Sequence, residues 1–340
     1  MVKKQNECLN FLKGIACILI VYLHMGFPEP LGSVINVIAK MSVQLFFMIS
    51  GYFAWNSSKE IALKKVPGKI KHTIVMICWA VAVSTLYQII ITAMKSGVTA
   101  AIVQWFETFT VKNTVKFFIL TATSHIPGWG ILWFIFSLLY CYIVYAIVLK
   151  FNCIKLAHGM ILPLLLFHLS VRYFFVLNGV NFGSVYFQNW LLNGVPFFFL
   201  GHWIHQNHDD VVFRFSNHKL LLICLGGIIM ANIEAHFVGY MSFYFGTILQ
   251  VVSSFIFALR NSNKKICSVI AEIGEKDCFF VYITHPIVGG LLSIVVGDLK
   301  NRFLYPYLLA IIVAIICVCM SRSVKRLKMK GWKGWREKNT

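Results

Sequence analysis

Apolar residues in this chain come in long unbroken blocks, separated by short polar stretches. A block of about 20 residues at 1.5 Å rise per residue matches the roughly 30 Å hydrocarbon core of a bilayer. Windows of that length predict ten spans, near 9–26, 34–54, 71–94, 129–149, 157–177, 189–205, 218–234, 240–259, 277–297 and 303–321. The sixth and seventh are short. Between the third and fourth, FETFTVKNTVKFFIL spaces its aromatic and aliphatic residues by three and four. Within 97–128 this predicts an amphipathic helix on the outer surface.

Composition agrees with that pattern. The 340 residues are 59% hydrophobic and 13% charged, with a mean hydropathy of +0.75. Soluble domains hold about 45–50% apolar and about 25% charged residues, so a soluble class is excluded. The expected fold is all-α, a polytopic membrane protein of about ten transmembrane helices. It divides into a transmembrane domain, 1–321, and a basic cytoplasmic tail, 322–340. No internal repeat is evident, because the segments holding Pro127, Pro163, Pro196, Pro286 and Pro306 do not resemble one another.

A net charge of +19 would suit nucleic acid, but the basic residues sit in short clusters between apolar blocks. Counted in alternate loops they divide 22 against 5, and the richer side includes both ends of the chain. Excess Lys and Arg marks cytoplasmic loops, so both termini are expected in the cytoplasm, and no nucleic-acid partner is expected. The tail SVKRLKMKGWKGWREKNT, with Trp332 and Trp335, suits an anchor on the anionic leaflet. Lys3 and Lys4 before the first block resemble a signal peptide. Without a small-x-small cleavage site, that block reads as the first helix. The ten cysteines lie mostly within apolar blocks, with no CxxC pair, and read as small buried hydrophobes.

Polar groups inside spans carry the candidate chemistry. The first span, ECLNFLKGIACILIVYLHMG, holds Lys13 and His24 eleven residues apart. Eleven residues of α-helix turn through about 1100°, three turns plus about 20°, so both share one face. The topology puts Lys13 towards the cytoplasm and His24 near the extracytoplasmic boundary. Snorkelling would account for a lone Lys13 and packing for a lone His24, but a shared face makes function the more economical reading. His168 and Arg172, four apart in the outer half of the fifth span, are candidates for holding an anionic or polar ligand. Glu29 or Glu234 is placed to orient His24. His202, His205 and His208 have metal-like spacing without a second ligand pair, so no metal is expected. In FFVYITHPIVGG, Pro286 frees a carbonyl that Tyr282, Thr284 or His285 can satisfy. The functional alternative is that these groups line a polar cavity in the inner half of the membrane. No carboxylate lies mid-span, which disfavours a proton-coupled pump.

At these residues a resemblance enters. NFLKGIACILIVYLH is similar to the first-helix signature of the acyltransferase-3 family of integral-membrane acyltransferases, in which a basic residue, ten intervening positions and a histidine recur. That family more often has Arg where this chain has Lys13. VQLFFMISGYF at 43–53, GWGILWFIFSLLY at 128–140 and IGEKDCFFVYITHPIV at 273–288 resemble its second-helix, Trp-containing middle and late His-Pro blocks, in order. The resemblance implies O-acyl transfer from cytoplasmic acyl-CoA, commonly acetyl-CoA, to a hydroxyl on an extracytoplasmic or lipid-linked polysaccharide. It implies a multi-pass protein of a bacterial cell membrane, with no bound cofactor. Its partners would be the lipid bilayer, the donor and the glycan acceptor. His24 would serve as base or acyl carrier, with Lys13 in the catalytic pair. Lys69 and Lys71 in KKVPGKIKH, with Trp133, would join the donor or acceptor contacts alongside His168, Arg172, Tyr282 and His285. Two other readings remain open: a transporter or flippase of a glycan precursor, and a partner subunit that has kept the fold without activity.

Overall fold

The computed structural model describes residues 6–121, 123–180, 186–262, 264, 266–296 and 305–339, with side chains described up to 327 except at 124. Lys3, Lys4, Lys265, Lys300 and Arg302, all counted among the loop charges, lie outside the described residues, as do the side chains of Trp332 and Trp335. No strand occurs among the described residues. The first helices are α1 (Glu7–Met25), α2 (Leu31–Ala39), α3 (Met41–Tyr52), α4 (Lys59–Ser96), α5 (Val98–Glu107) and α6 (Val111–Leu120). Then come α7 (Trp133–Lys150), α8 (Ile154–Gly159), α9 (Ile161–Leu177) and, after a π-turn at Trp190–Gly194, α10 (Val195–Gln206). The chain continues through α11 (His208–Val212), α12 (Asn217–Val238), α13 (Phe245–Arg260) and α14 (Ser268–Glu272). A second π-turn, Ile273–Asp277, joins α14 to α15 (Cys278–Val296), and α16 (Tyr305–Asn339) ends the chain.

Among the described residues eight helical segments are long and apolar enough to cross a membrane, the second and fifth being α2 with α3 and α8 with α9. The expected sixth and eighth spans are the shorter α10 and α13. Three elements depart from the sequence reading. The outer amphipathic segment is two helices, α5 and α6, because Thr110 caps a fresh start by accepting from the Asn113 N–H at 3.2 Å. α4 begins at Lys59, since Ser58 caps it ahead of a lysine-rich turn that a hydropathy window passes over. The ninth span begins at Ser268, nine residues before the apolar block, through the π-turn.

Helix ends follow local chemistry. Asn6 caps α1 with its side chain 2.9 Å from the Leu9 N–H, and Gly26 closes the helix at φ 77°, a conformation that favours glycine. Internal satisfaction of this kind is obligatory where no water competes. The long helices also expose large apolar side chains, among them Trp79, Leu86, Met94 and Val295. Exposed apolar faces of that extent fit lipid.

The chain forms two compact units, residues 1–42 with 254–340, and 43–253. In the first, α1 packs on α14, the second π-turn, α15 and α16. In the second, α4 packs on α5 and α7, and α10 on α9. Its core includes the fully buried Phe47, Tyr145, Phe197, Phe198 and Phe199. There α3 and α10 meet backbone to backbone: a Cβ at Gly51 would lie 1.8 Å from the Phe198 carbonyl oxygen, and one at Gly201 1.9 Å from that of Met48. Small residues at such crossings let apolar helices approach closely in a medium that gives no hydrophobic drive.

Candidate active site

In the first unit α1 and α15 run side by side in the same direction. Cys278 donates its thiol to the Lys13 carbonyl at 3.7 Å, and further along, about three turns on α1 and two on α15, His24 faces His285, ring centroids 5.1 Å apart and tilted by 46°. Met25 then meets Gly289, where a Cβ would lie 2.3 Å from its sulfur. Two glycines make this approach possible at the other end. A Cβ at Gly274 would lie 1.8 Å from the Asn10 carbonyl oxygen, and one at Gly14 2.1 Å from that of Ile270.

His285 is fully buried. Its Nδ1–H donates to the Val281 carbonyl at 2.9 Å, and its Nε2 has no hydrogen-bond partner. A carbonyl only accepts, so Nδ1 carries the proton and Nε2 presents a lone pair. Thr284 donates to the Phe280 carbonyl at 2.8 Å, so the polar residues around Pro286 do bond the local backbone. That use leaves one imidazole nitrogen uncommitted beside His24. The sequence put His285 in the inner half of the membrane and His24 near the outer boundary, yet the two lie at one level. The reason is the early start of the ninth span, which carries His285 further along its helix.

Below the histidines, α15 is tied to α16. The buried carboxylate of Asp277 accepts from Ser321 at 2.6 Å, from Lys325 at 2.6 Å and from Arg322 at 3.4 Å. Arg322 also pairs with Glu272 at 3.2 Å. Several donors on one carboxylate offset much of the cost of burying it. Lys13 is half-buried, on the face its spacing from His24 requires.

The other sequence candidates lie in the second unit. His168 is fully buried, stacked on Phe243 at 4.2 Å, with Nε2 2.9 Å from the Ser242 hydroxyl. Arg172 donates to the Tyr240 carbonyl at 2.9 Å, and its guanidinium lies 5.2 Å over Phe187. Trp133 opens α7 against Phe47, Lys69 sits 5.7 Å over the Tyr142 ring, and Lys71 is exposed. Tyr282, in the first unit, is half-buried on α15.

Both proposed orienting carboxylates have local duties. Glu29 accepts from the Ser33 N–H at 3.2 Å, and Glu234 accepts from Tyr173 and from the N–H groups of Phe245 and Gly246 at 2.8 and 3.0 Å. They serve the starts of α2 and α13. Among the described residues no group of three or more His, Cys, Asp or Glu is arranged to hold a metal ion.

Sequence reading passed over Lys40, buried at the break between α2 and α3, although it is the one basic residue within the second apolar block. It also missed the Asp277 cluster, whose only signal was an acidic residue at the edge of a span. The profile of the acyltransferase-3 family, described as an acyltransferase domain, matches residues 6–322. Neither the curated proteins nor the solved structures contain a match to this chain. A match from the first helix into the last, over a chain of membrane-length helices, carries one conclusion: the protein belongs to the acyltransferase-3 family and is a multi-pass membrane acyltransferase.

Proposed function

We propose that this acyltransferase moves an acyl group, commonly acetyl, from cytoplasmic acyl-CoA to a hydroxyl of an extracytoplasmic or lipid-linked polysaccharide. The observation that carries the reading is the pairing of His24 with His285, whose Nε2 is left without a partner. A thioester is already activated, so the protein needs to deprotonate the acceptor and to support the charge that develops on the carbonyl oxygen. His24 takes the acceptor proton. The acceptor oxygen bonds to the acyl carbon, the carbon–sulfur bond breaks, and the imidazolium returns its proton to the leaving thiolate. His285, with a fixed tautomer, presents its Nε2 lone pair beside the His24 ring, where in the reactive complex it would accept the His24 N–H and leave the other His24 nitrogen to face the acceptor. In the covalent variant His24 itself receives the acyl group before passing it on. Lys13, on the same face of α1, supplies positive charge on the donor's route.

The test uses sealed inside-out vesicles with labelled acetyl-CoA outside and glycan within. Wild type should label the glycan, and His24→Ala should lower that labelling about 10²- to 10⁴-fold, the usual contribution of a positioned acid–base group. Equal labelling would remove His24 from the chemistry. Glycan crossing without any labelling would favour the transporter.

A further inference from the structure

We infer that the second unit holds the donor's nucleotide end in a cavity walled by Trp55, Asn56, Lys59, Tyr145, Asn152 and His202. The inference deepens the proposed function and rests on its acyl-CoA donor. The cavity has a volume of about 310 Å³, within the range of small-molecule sites. It lies where the α3–α4 connection, the α7–α8 connection and the end of α10 converge. The sequence around it supplies Lys59, Lys64, Lys65, Lys150 and Lys155, all on the side assigned to the cytoplasm.

Its wall is aromatic on one side and cationic on the other. Trp55 is half-buried and stacks on His205, ring centroids 4.5 Å apart at 21°, which holds the indole as a rigid plate. Lys59 donates to Asn152 at 2.6 Å, and Lys65 to Asn56 at 2.7 Å. An ammonium has three N–H groups, so each lysine keeps donors for a phosphate while its position is fixed. His202 is held by His158, nitrogen to nitrogen at 3.0 Å, and Tyr145 donates to the Ala54 carbonyl at 3.1 Å. A flat aromatic plate beside fixed cations is what a purine carrying phosphates requires. Lys59 is the lysine that lines this cavity, with Lys65 behind the wall on Asn56, so the inference gives the phosphate contact to Lys59 and not to Lys69 or Lys71.

Two donors separate the possibilities: acetyl-CoA, and acetyl-pantetheine, which has the same thioester without the nucleotide. In Trp55→Ala the KM for acetyl-CoA should rise about 5- to 150-fold, the range set by loss of one base–aromatic stack, and in Lys59→Ala it should rise through loss of a phosphate contact. The KM for acetyl-pantetheine should not change. No change with either donor, or an equal change with both, overturns the inference and leaves the acyl-CoA reading intact. Should wild type use neither donor, direct binding decides. Adenosine 3′,5′-bisphosphate that quenches wild-type fluorescence, with the quench lost in Trp55→Phe and binding weakened in Lys59→Ala, supports the cavity assignment even as the donor reading fails. No saturable binding overturns it.

Discussion

At His285 one nitrogen is spent and the other is not, and that asymmetry gives the residue a testable role. The Nδ1–H bond to Val281 is a helix-local device, of the kind expected of polar residues beside Pro286. Only Nε2 separates a packing histidine from a chemical one. Asn at this position can reproduce the donation to Val281 while lacking any group where Nε2 stands. His285→Asn should therefore keep the thermal unfolding midpoint near that of wild type and lower kcat roughly 10- to 100-fold, with little change in donor KM. An unchanged kcat would return His285 to packing alone. Lys13 offers a second probe. Arg is the family's commoner residue there, so Lys13→Arg should keep or raise turnover in the vesicle assay, and a full loss would give Lys13 a different role. The Lys13 and His24 pair was legible because helical periodicity relates residues on one element. The His24 and His285 contact was not, since it joins elements more than 250 residues apart in sequence and nothing in either segment marks its partner.

Between elements, the contact of α1 with the α14–α15 segment depends on positions where any side chain collides with main chain. A methyl group at Gly274 would meet the Asn10 carbonyl oxygen at 1.8 Å and the Gly14 nitrogen at 2.6 Å, and neither is a flexible side-chain end that can turn away. Gly274→Ala should lower stability by about 1–3 kcal/mol or more, the cost of overpacking a closely fitted site. It should also lower acyl transfer, because the same contact sets the level at which His24 meets His285. Unfolding in detergent, followed by loss of the monodisperse peak on heating, measures the first effect. Gly226 in α12 has open space around the same substitution. Gly226→Ala should be neutral or stabilising by up to about 1 kcal/mol through helix propensity. Equal behaviour of the two variants would contradict the packing argument. The apolar blocks made most of the helices legible, whereas their starts were hidden wherever a helix extends into polar sequence. Lys59 to Lys71 in α4, and Ser268 to Lys276 ahead of α15, are helical because of caps and tertiary contacts that a hydropathy window does not weigh.

For the molecule as a whole, helix direction constrains how many times the chain crosses the membrane. α1 and α15 run parallel, from Lys13 beside Cys278 to His24 beside His285, so an odd number of crossings must separate them. Of the segments between, five are long enough to span by themselves, while α10 and α13 are short. Parity then requires that both cross or neither does. The second unit bears on α10. It runs parallel to α7, with Trp190 at its leading π-turn stacked on Tyr140 at 5.4 Å and His202 against Tyr145 at 5.2 Å. It also ends at the cavity that the α3–α4 and α7–α8 connections line. With the π-turn, α10 covers residues 190–206, about 25 Å at 1.5 Å per residue, enough for a thin or locally matched bilayer. If α10 crosses, parity requires α13 to cross as well, and the expected count is then the ten of the apolar blocks. On that count Phe213, exposed between α10 and α12, is expected in the cytoplasm with Arg214 and Lys219, and Tyr240, exposed between α12 and α13, outside. Phe213→Cys should react with a membrane-impermeant maleimide only in inside-out vesicles, and Tyr240→Cys only in right-side-out ones, each read at that residue by mass spectrometry. The opposite pattern at both positions would leave eight crossings, with α10 and α13 lying outside the bilayer and α12 reversed.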